Sequence, residues 1–107
     1  MEMVRIVERV GFAEGKMAKH ALLATGRCQL DLYCLRPGQA QTPHAHPDQD
    51  KVYYGVEGTG RIRVGSEEQR LEPGTAVLAP AGEEHGLAND GSAPLVVLVF
   101  LAPPPRH

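Results

Sequence analysis

The stretch GTAVLAPAGEEHGLAN, residues 74–89, read together with GQAQTPHAH, residues 38–46, decides how this chain folds. In the shorter stretch one residue, Ala45, separates His44 from His46. A spacing of two is the period of extended backbone, so both imidazoles project from one face and can meet one metal ion. Pro43 and Pro47 bracket the pair. Each fixes its own φ and pushes the preceding residue towards extended conformations, which holds the shape that chelation needs. The longer stretch is broken by Gly74, Pro80 and Gly82, residues that turns favour, and then supplies a third imidazole at His85.

Outward from these stretches the chain reads as short strands separated by Gly, Pro and Asp clusters, the pattern of an all-β sandwich or barrel. In RCQLDLYCL, residues 27–35, Cys28, Leu30, Leu32 and Cys34 fall on one face and Gln29, Asp31 and Tyr33 on the other. This alternation predicts a half-buried strand. Five more candidate strands are KVYYGV (51–56), RIRV (61–64), QRL (69–71), TAVLA (75–79) and PLVVLVFL (94–101). Around Lys16 to Leu23 the apolar spacing fits a short helical turn, limited by Gly15 and Gly26. The tail after Ala102 begins with three prolines, which cannot pair in a sheet, so it is expected to leave the surface.

With 107 residues the chain suits one domain spanning 1–107. Asp and Glu outnumber Lys and Arg, the net charge is −2, and no basic run occurs, which argues against a nucleic-acid partner and for a small molecule. The first ten residues carry Glu2, Arg5, Glu8 and Arg9, unlike a signal peptide. The longest apolar run, Leu95 to Ala102, is far short of the roughly 20 residues of a spanning helix, so a cytoplasmic protein without membrane contact is expected. Cys28 and Cys34 on one strand would stand about 20 Å apart at ~3.3 Å per residue, too far for a disulfide.

The two opening stretches resemble the two motifs of the cupin superfamily: glycine, five residues, His-x-His, as Gly38, His44 and His46; then glycine, five residues, Pro-x-Gly, two residues, His, three residues, Asn, as Gly74, Pro80, Gly82, His85 and Asn89. Fifteen residues separate Gly58 from Gly74, close to the shortest spacing between such motifs, and the likeness runs over about residues 27–100. The resemblance implies a double-stranded β-helix, or jelly-roll, barrel. It also implies that His44, His46 and His85 hold one divalent metal ion, Mn, Fe, Co, Ni, Cu or Zn, among which these ligands do not choose.

One position departs from that pattern. Such a cupin usually has Glu five residues after the second His; here Lys51 stands there, and a protonated ammonium ligates no cation. Gln49 is the expected fourth ligand, with Asp50 or a water as alternatives. Lys51, if it points inward, would pair with a substrate carboxylate or hydroxyl. Tyr53 and Tyr54 alternate, so one faces the interior, where packing is its expected role. His20 and His107 are expected at the surface, as are Glu83 and Glu84.

Three imidazoles leave open positions on the ion, which suits a metal-dependent enzyme of dioxygenase, isomerase or cyclase type acting on a small organic substrate. The alternative is a non-catalytic binding module, since no GxSxG elbow, P-loop or CxxC motif is present. A homodimer is expected, with the apolar N-terminal segment MVRIVERV pairing at a barrel edge.

Overall fold

The computed structural model describes residues 1–105. A 3-10 turn, Ile6–Arg9, precedes nine strands: β1 (Ala18–Ala24), β2 (Gln29–Leu35), β3 (Ala40–His44), β4 (Asp50–Glu57), β5 (Gly60–Val64), β6 (Glu67–Leu71), β7 (Ala76–Ala79), β8 (His85–Ala88) and β9 (Leu95–Ala102). They form two antiparallel sheets, one in the order β1-β2-β9-β4-β7 and the other β3-β8-β5-β6. This is the all-β jelly-roll barrel that the sequence implies. β9 lies between β2 and β4 along nearly its whole length, which its almost unbroken Leu and Val run suits.

Tyr33, Leu35, Tyr53, Ile62, Leu71, Leu87 and the inward residues of β9 pack between the sheets. A second cluster, Leu22, Leu32, Cys34 and Val96, lies on the other face of the larger sheet, beneath Val4, Ile6, Val10 and Phe12. The reading of residues 27–35 as half-buried is therefore corrected: β2 is buried on both faces. Its apolar face looks outward under the N-terminal arm, while Asp31 and Tyr33 share the face turned to the barrel interior. Both cysteines are free thiols.

Two other expectations are overturned. Residues 18–24 form strand β1, not a helical turn, because pairing with β2 across a bulge between Ala21 and Leu23 outweighs local apolar spacing. Within the single chain Ile6–Arg9 forms a 3-10 turn. Its apolar neighbours cover their own sheet, and the Gly11 carbonyl lies 2.8 Å from His20 Nε2, which leaves His20 half-buried where surface exposure was expected. His107 lies outside the described residues. Among the described residues no helix is long and apolar enough to cross a membrane.

Candidate metal centre

The pairing of β3 with β8 sets His44 directly opposite His85. Close contact between these strands depends on Gly86: a Cβ there would meet Pro43 Cγ at 3.1 Å and the Gln41 carbonyl at 3.2 Å. A side chain at 86 would require Pro43 and the Gln41 carbonyl of β3 to give way by a few tenths of an ångström. His46 follows β3, and its carbonyl accepts the Gly82 N–H at 2.8 Å. Gly82 has φ +85, a conformation open to glycine at little cost, so this turn ties the His46 loop to the start of the strand carrying His85.

The three imidazoles converge. Their ligand-capable nitrogens lie within 4.8 Å of one another, and the His44 ring centroid is 4.7 Å from that of His46 and 4.6 Å from that of His85. His44 Nδ1 is 2.9 Å from the Thr42 carbonyl and His85 Nδ1 is 3.0 Å from the Glu83 carbonyl. A carbonyl only accepts, so each Nδ1 carries the proton and each Nε2 keeps its lone pair for an ion. His85 Nε2 is buried and has no hydrogen-bond partner among the described residues. A buried nitrogen lone pair without a donor is costly, and a cation among the three rings satisfies it. Burial lowers the His85 pKa and that of His46, and the Lys51 charge lowers both further, which favours the neutral, ligating form of these two imidazoles. His44 and His46 are half-exposed, so the centre opens to solvent on their side.

The residues proposed around the trio separate. Asp50 is exposed, and its Oδ1 accepts the Ala81 N–H at 2.9 Å, which braces the turn before His85. Gln49 is buried, and its Nε2 donates to the Pro103 carbonyl at 3.0 Å, so its oxygen remains the ligand-capable atom. That bond also holds the first proline of the tail against the barrel. Glu83 and Glu84 are exposed; Glu83 orients His85 through its backbone and not its carboxylate.

Lys51 points inward and is 2% exposed. Its Nζ lies 3.5 Å from the Tyr33 hydroxyl and 5.8 Å from the centroids of both the Tyr33 and Tyr53 rings. Burial lowers its pKa to about 8, with the Lys19 charge adding and Asp31 opposing. Tyr53 takes the interior place and Tyr54 the outer one. The Tyr53 hydroxyl donates to Gln41 Oε1 at 2.7 Å, and its ring is 6.2 Å from His85. Burial raises the pKa of both Tyr33 and Tyr53, so they stay neutral phenols.

Sequence reasoning missed Asp31, Tyr33, Gln41 and Gly86. The available signal was strand phase, since Asp31 and Tyr33 alternate away from the apolar face just as Lys51 and Tyr53 alternate away from Tyr54. It also gave Asn89 no role beyond its motif place. Asn89 is buried, donates to the carbonyls of Leu35 and Ala93, each at 2.9 Å, and accepts the Gly91 N–H at 3.1 Å, which fixes the end of the strand bearing His85.

Comparison with known families settles the kinship. The Cupin domain model matches residues 31–101. The chain belongs to the cupin family. A crystal structure of TT1209 from Thermus thermophilus superposes with a TM-score of 0.95 at 45% identity, covering 98% of this cupin and 100% of that chain. An uncharacterised protein with a double-stranded β-helix domain from Klebsiella pneumoniae has a TM-score of 0.88 at 23% identity over 96% of this chain and 90% of its own, a likeness of fold. The tetracenomycin polyketide synthase protein TcmJ of Streptomyces glaucescens is 39% identical over 69 residues, 64% of this cupin and 46% of the relative, so the chain spans about half the length of that protein.

Proposed function

We propose that this cupin is a metal-dependent enzyme that acts on a small organic substrate at a divalent ion held by His44, His46 and His85, with the Gln49 oxygen as fourth ligand. The observation that carries this reading is His85 Nε2, buried, unpartnered and converging with two further imidazoles. An ion held there supplies Lewis-acid polarisation of a carbonyl or enolate oxygen. The chain's own groups do the rest: Thr42 and Glu83 carbonyls fix the imidazole tautomers, and Tyr53 packs beside His85 and limits water on the inner side.

The side of the centre open to a substrate is that of the half-exposed His44 and His46. A separate groove of about 340 Å³, lined by Ile62, Val64, Val77 and Glu83 among others, includes none of the three histidines. The kinship with a polyketide synthase protein supports a carbonyl-bearing substrate.

The test is the visible spectrum of the cobalt(II)-loaded protein on addition of acetylacetone, a β-dicarbonyl chelator. The enzyme reading expects a saturable spectral shift, because a coordination position remains open. An unchanged spectrum would mark a closed ion and favour the non-catalytic module.

We also propose a homodimer, formed through the outer face of β4, β7 and β9 and not through the N-terminal segment. Tyr54, Leu78 and Phe100 leave apolar surface exposed there, at 43%, 59% and 41%. A monomeric mass by sedimentation at micromolar concentration would overturn this.

A further inference from the structure

We propose that the ligand of this centre is a small organic anion with two oxygen-bearing poles, one at the ion and the other, a carboxylate, at the ammonium of Lys51. The inference rests on the metal reading above and names the substrate class for the same site.

Three observations carry it. Lys51 is 2% exposed, yet among the described residues no carboxylate forms an ion pair with it, and its one hydrogen bond is a long contact of 3.5 Å to Tyr33. An ammonium has three donors, so two of them lack a protein acceptor. Asp31 offsets part of the cost of burying this cation without pairing with it, and an anionic ligand offsets more.

The second observation is position. The buried Tyr53 ring neighbours both poles, 6.2 Å from the His85 ring and 5.8 Å from Lys51 Nζ, so the His85 ring and the ammonium lie at most about 12 Å apart. A ligand entering from the half-exposed His44 and His46 side need span no more than that. The Tyr53 hydroxyl is engaged by Gln41, which keeps the ring in place.

The third is charge. Three neutral imidazoles leave a bound divalent ion uncompensated, Lys51 adds a positive charge, and Lys19 stands at the exposed edge with its Nζ 5.3 Å from the Tyr33 ring. On the interior face of the larger sheet the opposing charge is Asp31, whose Oδ1 is occupied by Gln29 Nε2 at 2.7 Å. The interior is thus cationic when loaded, and a cationic cleft raises the local concentration of anions and selects them over neutral analogues.

The experiment compares 2-oxopentanoate with 2-oxoglutarate. Both carry the same chelating 2-oxo-carboxylate, and they differ in one distal carboxylate. Zinc content is measured first, in wild type and in Lys51→Met, and each acid is then titrated calorimetrically into the zinc-loaded proteins. The expected result is full zinc loading in both, at least a tenfold preference for 2-oxoglutarate in wild type, and loss of that preference in Lys51→Met. Lys51→Gln serves as a second variant should the first fail to fold. Equal affinity for the two acids in wild type, or a preference that survives removal of the ammonium, would overturn the proposal while the metal reading stands. Failure of the wild type to take up zinc would overturn both.

Discussion

The two faces of the larger sheet differ in a way that their sequences invert. The outer face carries Leu32, Cys34 and Val96, reads as core, and serves to seat the N-terminal arm. The inner face carries Asp31, Tyr33, Lys51 and Tyr53 among its apolar residues, reads in part as solvated, and lines the barrel beside the three histidines. A strand buried on both sides has no solvent face, and its polar phase then marks a site. Strand alternation distinguishes two faces and does not say which is inside. What reveals the inside here is that Lys51 and Tyr53 share their phase, and that the imidazoles of β3 and β8 look towards them.

This division of labour can be broken selectively. The largest effect is expected at the strand contact that supports the centre. Gly86→Val should push β3 from β8 and lower zinc affinity at least tenfold, measured by competition with a chromophoric chelator; unchanged affinity would mean that the β3–β8 approach does not set the histidine geometry. On the outer face, Leu32→Ala should cost about 3 kcal/mol in urea unfolding and leave zinc uptake at its wild-type level. A comparable loss of zinc would show that the two faces are not independent.

Smaller effects belong to the inner polar groups. Tyr53→Phe removes the donor to the buried Gln41 oxygen and should cost about 1–2 kcal/mol, read in the same unfolding experiment. A neutral result would mean that Gln41 finds another donor. Lys51 predicts a pH dependence of the metal-free protein. Its ammonium titrates at about 8 in the folded chain against the ordinary 10.5, so between these values the folded state binds fewer protons than the unfolded one. Stability therefore rises with pH through that window and falls as pH drops through it. Between pH 8 and 9.5, wild type should gain about 1.5 kcal/mol relative to Lys51→Met. Parallel profiles for the two proteins would place the ammonium in water.

The His44–His46 pair was legible because its geometry is local: two histidines one residue apart on extended backbone share a face by stereochemistry. His85, distant in sequence and brought opposite His44 only by the pairing of β3 with β8, was legible through the motif resemblance alone. Strand β9 was legible from its apolar run. Strand β1 was not, since residues 18–24 become a strand only by pairing with β2, a contact without local signature. Lys51 was legible as a departure from the motif but not as a buried cation, because its surroundings come from β2 and β4 together, brought close through β9. The N-terminal arm was legible as apolar but its seat was not: within the single chain the surface its residues cover is their own sheet, a long-range contact without local signature.

Three imidazoles, from β3, the loop after it and β8, converge on one candidate metal centre. Moles of metal per chain, measured by elemental analysis in freshly purified wild type and in a His44→Ala, His46→Ala double variant, test it most directly. Close to one equivalent is expected in wild type and none in the variant. No metal in either protein, even after incubation with zinc, manganese and cobalt salts, would contradict it.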